Sequence, residues 1–109
     1  MRILITPTFA RAVKKMHRAH KAKLDEAVRT ISRQPDAGEI KVGDLAGVRV
    51  YKFHMGNGLA LLAYRVLDEN TVKLLMVGPH ENFYRDLKRI DVVQTVRWGQ
   101  AHALTRPSA

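Results

Sequence analysis

Two histidines, a tyrosine and several cations are spaced in this chain so that they could break a phosphodiester without a metal. Lys52 and His54 lie two apart in VRVYKFHM. That segment alternates, with Tyr51, Phe53 and Met55 on one side and Val48, Val50, Lys52 and His54 on the other, so Lys52 and His54 share a strand face about 7 Å apart. His80, Tyr84 and Lys88 recur at every fourth residue in GPHENFYRDLKR, the spacing of one helical face, with Arg85 beside them. Cleaving RNA through its own 2′-hydroxyl needs a base for that proton, an acid for the leaving oxygen and cations for the charge that develops on the phosphate. Histidine, with an ordinary pKa of about 6.5, can take either proton role at neutral pH. Lysine and arginine supply the electrostatic part.

Each of these residues also has an ordinary use. A histidine where a strand gives way to a helix is commonly a cap or a surface residue, one beside a hairpin turn is commonly solvated, and a tyrosine packs its ring and exposes its hydroxyl. Only convergence of the two segments favours chemistry, and convergence depends on the elements that carry them. RILIT reads as a short strand, after which Thr6 caps a helix with Pro7 in its first turn. Phe9, Val13 and Met16 form its apolar stripe. Leu24, Ala27, Val28 and Ile31 form another, predicting a second helix over residues 21–34 that ends before Pro35 and an antiparallel helical hairpin. Then the period becomes two. VRVYKFHM, the turn at GNG, the buried strand LALLAYRV, the turn at DEN and the strand TVKLLMV make a three-strand meander. A third helix is expected from His80, with Phe83, Leu87 and Ile90 as its core stripe, and the tail from Asp91 has the apolar spacing of another. The expectation is one α+β domain spanning residues 1–109, a small twisted antiparallel sheet (N-terminal strand plus meander) with a helical hairpin and a C-terminal helix.

The 109 residues suit one domain, and 46% hydrophobic content supports a core. No apolar run is long enough to cross a bilayer and the N-terminus is too short in its apolar part for a signal peptide, so a cytoplasmic protein without membrane partners is expected. With no cysteine there is no disulfide, thiolate metal site or cysteine nucleophile. The pair in HRAH has no third ligand nearby, so no metal and no cofactor are expected. Nineteen Lys and Arg against ten Asp and Glu, a net charge of +9, point to a polyanionic partner, nucleic acid or acidic protein. Aromatic content of only 6% argues against a base-stacking platform.

GDLAGVRVYKFHM, followed through a turn by LLAYRVLDENTVKLLMV and then by GPHENFYRDLKR, resembles the RelE/ParE superfamily of toxins from type II toxin–antitoxin systems. The resemblance runs from residue 1 to about 90. It implies a twisted antiparallel sheet with a helical hairpin on one side, and an activity that differs by branch: many members cleave mRNA on the ribosome, whereas the ParE branch inhibits DNA gyrase. The details are nearest to the RelE/YafQ-like mRNA interferases. Lys52 and His54 match positions where these carry basic residues or a histidine, His80 a proposed general acid, and Tyr84 a catalytic tyrosine. The resemblance therefore implies a ribosome-dependent endoribonuclease with His80 as acid, His54 as base or transition-state stabiliser, Tyr84 positioning the 2′-hydroxyl or stacking on a base, and Lys52, Arg85 and Lys88 on phosphate. The arginine that RelE-like members carry inside the strand is missing at Leu59–Ala60–Leu61, leaving Arg49, Arg65 or Arg85 to replace it. The resemblance also implies a cognate antitoxin, acidic and partly disordered, in a toxin–antitoxin hetero-oligomer, and mRNA on the ribosome as the other partner. A gyrase inhibitor, or a degenerate member that only binds an antitoxin, are the alternatives.

Overall fold

The computed structural model describes residues 1–89 and the backbone of Val96–Arg97. The chain runs β1 (Arg2–Ile5), α1 (Pro7–Lys14), α2 (Arg18–Arg33), β2 (Glu39–Ile40), a 3-10 turn at Gly43–Leu45, β3 (Val48–Met55), β4 (Gly58–Asp68), β5 (Thr71–Pro79), α3 (Phe83–Leu87) and β6 (Val96–Arg97). The strands form one sheet in the order β2-β3-β4-β5-β1-β6. The meander is antiparallel as expected. The N-terminal strand joins it parallel to β5, Ile3 facing Val72 and Ile5 facing Leu74. No helix among the described residues is long and apolar enough to cross a membrane.

The helical hairpin forms where its stripes and caps place it. Thr6 caps α1, its hydroxyl accepting from the Phe9 N–H at 3.1 Å, and Pro7 follows. The second helix starts three residues earlier than its apolar stripe predicts, because His17 is its cap, Nδ1 accepting from the Ala19 N–H at 3.1 Å. Phe9, Val13, Leu24, Val28 and Ile31 pack on Leu62, Tyr64, Val72, Leu74 and Val77 to form the larger core. On the other face, Val48, Val50, Leu61, Ala63 and Leu75 are covered by Phe83 and Leu87. The third helix is shorter than expected. It begins at Phe83, after a turn in which Asn82 has φ 60°, and His80 lies before it. The tail from Asp91 is expected to form a helix or an irregular end; Val96–Arg97 pair with β1 as a strand, and the rest of the tail falls outside the described residues.

A bulge decides which face β5 presents at its end. Ala63 pairs with Met76 and Tyr64 with Leu74, so Leu75 is an extra residue. One extra residue inverts the side-chain alternation beyond it. Before it Val72 and Leu74 face the hairpin; after it Val77 does, while Leu75 and Met76 both belong to the α3 side. The bulge is pinned from outside: the buried Thr6 hydroxyl donates to the Leu75 carbonyl at 2.6 Å, and the Thr6 N–H to the Leu74 carbonyl at 3.1 Å.

A second clamp ties the segment after α2 to the sheet. The Tyr64 hydroxyl donates to the Pro35 carbonyl at 2.7 Å and accepts from the Gly38 N–H at 2.8 Å. Position 38 must be glycine, since a Cβ there would stand 2.8 Å from the Tyr64 ring. Burial pushes the Tyr64 pKa above its ordinary value, the Gly38 bond opposing it.

Thr6→Ala should therefore cost about 2 kcal/mol in chemical denaturation, the sum of a lost cap and a lost buried hydrogen bond. Tyr64→Phe should cost about 1–2 kcal/mol at neutral pH. Because the folded-state pKa of Tyr64 is raised, its contribution is complete below the unfolded value of about 10 and falls as pH rises beyond it. Tyr64→Phe should make the alkaline loss of stability shallower, and equal slopes for the two proteins would contradict this.

Candidate functional site

The α3 face of the sheet brings the two predicted segments together. Val48 and Val50 of β3 lie in the core beneath α3, so alternation puts Lys52 and His54 on the same face, both exposed beyond the end of that core. On β4, His54 pairs with Leu59 and Lys52 with Leu61. On β5, Leu61 pairs with Gly78 and Ala60 with Pro79, a register that carries His80 opposite Leu59. His80 is the residue that follows the last pair of β5, just past the end of the strand, and two strand spacings separate its backbone from that of His54, about 10 Å. The bulge at Leu75 is what turns His80 to this face; with unbroken alternation it would share the side of Val72 and Leu74. Leu59 between them is 40% exposed, and a Cβ built on Gly78 would meet open space.

His80 and Tyr84 do meet, although not along one helix face. The His80 carbonyl accepts from the Phe83 N–H at 3.2 Å across the turn, and the two rings stand edge to face with centroids 6.1 Å apart. Tyr84 is half-buried against Phe83, centroids 5.5 Å apart. His54 lies where β3 runs past the end of β2, on an open edge, and also borders a shallow depression of about 270 Å³ against α2 with Lys23, Glu26, Tyr51 and Phe53.

The predicted phosphate ligands separate into groups. Lys52 is exposed beside His54. Arg85 is exposed next to Tyr84, with Asp86 Oδ1 at 3.5 Å. Lys88 pairs with Asp44 at 3.6 Å and, with Arg65, lines a separate depression of about 190 Å³. Arg65 also donates to the Ala46 carbonyl at 3.1 Å. Arg65 pairs with Val48, six residues along β3 from His54 and so about 20 Å away. Arg49 is on the opposite face of the sheet. It pairs with Tyr64, and its guanidinium donates to the Gly38 carbonyl at 2.8 Å and the Asp36 carbonyl at 3.4 Å, so it holds the segment after α2 and lies apart from the other predicted phosphate ligands. Lys88 likewise does not continue a helical strip from His80, since α3 ends at Leu87.

Two neighbours of this site were not anticipated. Lys41 Nζ lies 5.4 Å above the Tyr84 ring centroid and 2.8 Å from Glu39 Oε1. The hydrogen bond that Lys41 donates to Glu39 raises the Lys41 pKa, and Tyr84 adds to the shift. Glu39 is made more acidic first by Lys41 and further by Lys52. Contacts therefore run from Glu39 through Lys41 and Tyr84 to His80, with the charge of Lys52 near enough for Glu39 to feel. The only sequence signal was the two-residue spacing of Glu39 and Lys41 just ahead of a strand.

The net charge is not concentrated here. Residues 7–33 hold eight Lys and Arg against two Asp and Glu, whereas residues 34–89 hold eight against seven. Most of the cations of residues 7–33 are exposed, so the basic surface belongs to the hairpin, across the sheet from α3.

The fold has a solved counterpart. The crystal structure of the intact E. coli RelBE toxin–antitoxin complex contains a chain that superposes with a TM-score of 0.58 at 19% identity, covering 72% of this chain and 95% of that one. No curated protein shows significant sequence similarity. The model of the family described as ParE-like toxin of type II bacterial toxin–antitoxin system matches residues 3–88. That match takes in both histidine-bearing segments and most of the chain, which belongs to the ParE-like toxins of type II bacterial toxin–antitoxin systems.

Proposed function

We propose that this toxin is an endoribonuclease that cleaves mRNA on the ribosome and so blocks translation. What supports cleavage is His54 at the end of β3, paired with Leu59, and His80 just past the end of β5 with Tyr84 against it: two histidines, one on each side of an open strip of sheet, with cations alongside. His54 takes the proton of the RNA 2′-hydroxyl, whose oxygen attacks the adjacent phosphorus. His80 protonates the departing 5′-oxygen, leaving a 2′,3′-cyclic phosphate and a 5′-hydroxyl. Lys52 and Arg85 stabilise the phosphorane charge, and Tyr84 orients the attacking sugar. The ribosome holds the message in the conformation that in-line attack requires, so free RNA is a poor substrate. The cognate antitoxin is an acidic, partly disordered chain that folds over this basic protein in a toxin–antitoxin complex.

A second reading, inhibition of DNA gyrase without catalysis, is favoured by the position of the charge. A toxin that acts by binding alone needs the cationic hairpin and has no use for a pair of histidines.

In primer extension on a translating message, His80→Ala should lower cleavage about 10²- to 10⁴-fold. Cleavage equal to wild type would remove His80 from the mechanism, and inhibition of supercoiling at toxin levels that leave message intact would decide for gyrase. Antitoxin affinity should fall steeply as salt rises from low to physiological concentration, and a dissociation constant insensitive to salt would rule out an electrostatic grip.

A further inference from the structure

Glu39 is an anion held by Lys41, which lies over the Tyr84 ring, and it feels the charge of Lys52 as well. It pairs with Val50, whose side chain lies beneath α3, and the Lys41 N–H donates to the Val48 carbonyl at 2.8 Å, carrying the same register two residues further. Alternation then puts Glu39, Lys41 and Lys52 on one face with His54. The two partners of the ion pair differ in how firmly they are held. The Lys41 side chain is only 23% exposed and rests over Tyr84, whereas that of Glu39 is 67% exposed. The cation is fixed by packing on its stem and ring, and the carboxylate is free to swing into water.

An ion pair this exposed contributes little to stability, so its position matters more than its strength. A carboxylate offers oxygens at nearly the spacing and charge that a phosphodiester offers, and lysine binds phosphate as a point charge. We infer that Lys41, Lys52 and Tyr84 form a seat for one phosphate of a nucleic-acid backbone, and that Glu39 fills this seat in the free protein until the phosphate displaces it. The seat deepens the cleavage reading and rests on it for the identity of the nucleic acid. The displaced carboxylate sets a threshold, since a weakly held anion fails to move it.

The test uses a fluorescently labelled all-2′-deoxy oligonucleotide, which has no 2′-hydroxyl to react, titrated by anisotropy at fixed ionic strength. Glu39→Gln removes the competing charge and should tighten binding about fivefold. Lys41→Met should weaken it by a similar factor and lessen the salt slope by about 0.7, the contribution of one phosphate contact on a single strand. Inorganic phosphate, set against chloride at equal ionic strength, should displace the oligonucleotide from Glu39→Gln at lower concentration than from wild type. Binding by Glu39→Gln that is unchanged or weaker overturns the seat. A gain for inorganic phosphate with none for the oligonucleotide overturns the assignment to a nucleic-acid backbone. Neither readout involves cleavage, so an inactive wild-type protein would refute the nuclease and leave this measurement intact.

Discussion

The hydrogen bond from the Thr6 hydroxyl to the Leu75 carbonyl, 2.6 Å long and fully buried, holds the rest of the arrangement in place. Leu75 is the extra residue of β5, and a bulge left alone is free to shift along its strand. Thr6 fixes it from a neighbouring element while also capping α1. One residue therefore sets the start of the helical hairpin, the parallel docking of β1 and the point at which β5 inverts its faces. Everything past that point depends on the inversion: Val77 returns to the hairpin core, and His80 comes to lie on the side of His54. Losing the bulge would restore unbroken alternation along β5 and send His80 to the wrong face.

The charge distribution divides the molecule into two surfaces with different physics. Around the histidines cations and anions nearly balance, and what matters there is which group touches which, over a few ångströms. Around the hairpin the cations outnumber the anions fourfold, so its field reaches to about a Debye length, ~8 Å at physiological salt. A polyanion approaching from solution is oriented by the hairpin first.

Much of the fold was legible because its signals are local. Apolar stripes, the Thr6-Pro7 start, the stop before Pro35 and the GNG turn each specify an element within a few residues; Gly56, with φ 66° in the two-residue turn, does what that turn required. Signals that depend on tertiary pairing were lost. Nothing in TVKLLMV marks Leu75 as a bulge, since every residue around it is apolar. The turn at His80 looks like a helix start because its spacing is helical, yet Asn82 in the left-handed region delays the helix to Phe83. Arg49 could have been placed by more careful reading, because alternation in VRVYKFHM groups it with Tyr51 and Phe53, on the hairpin side. Lys41 could not, since β2 is only two residues long and the pairing that aims it at Tyr84 comes from β3.

The bond between Thr6 and Leu75 spans 69 residues of chain, and the parallel pairing of β1 with β5 spans as much. While the protein is being synthesised, its first strand and hairpin emerge long before their partner exists. The hairpin can collapse early on local contacts, but the long-range pairing waits for the end of β5. A nascent chain released or stalled before residue 75 has neither the bulge nor the face that the bulge creates. The toxin's fold is thus closed only by the last third of its chain, whatever the earlier segments have already formed.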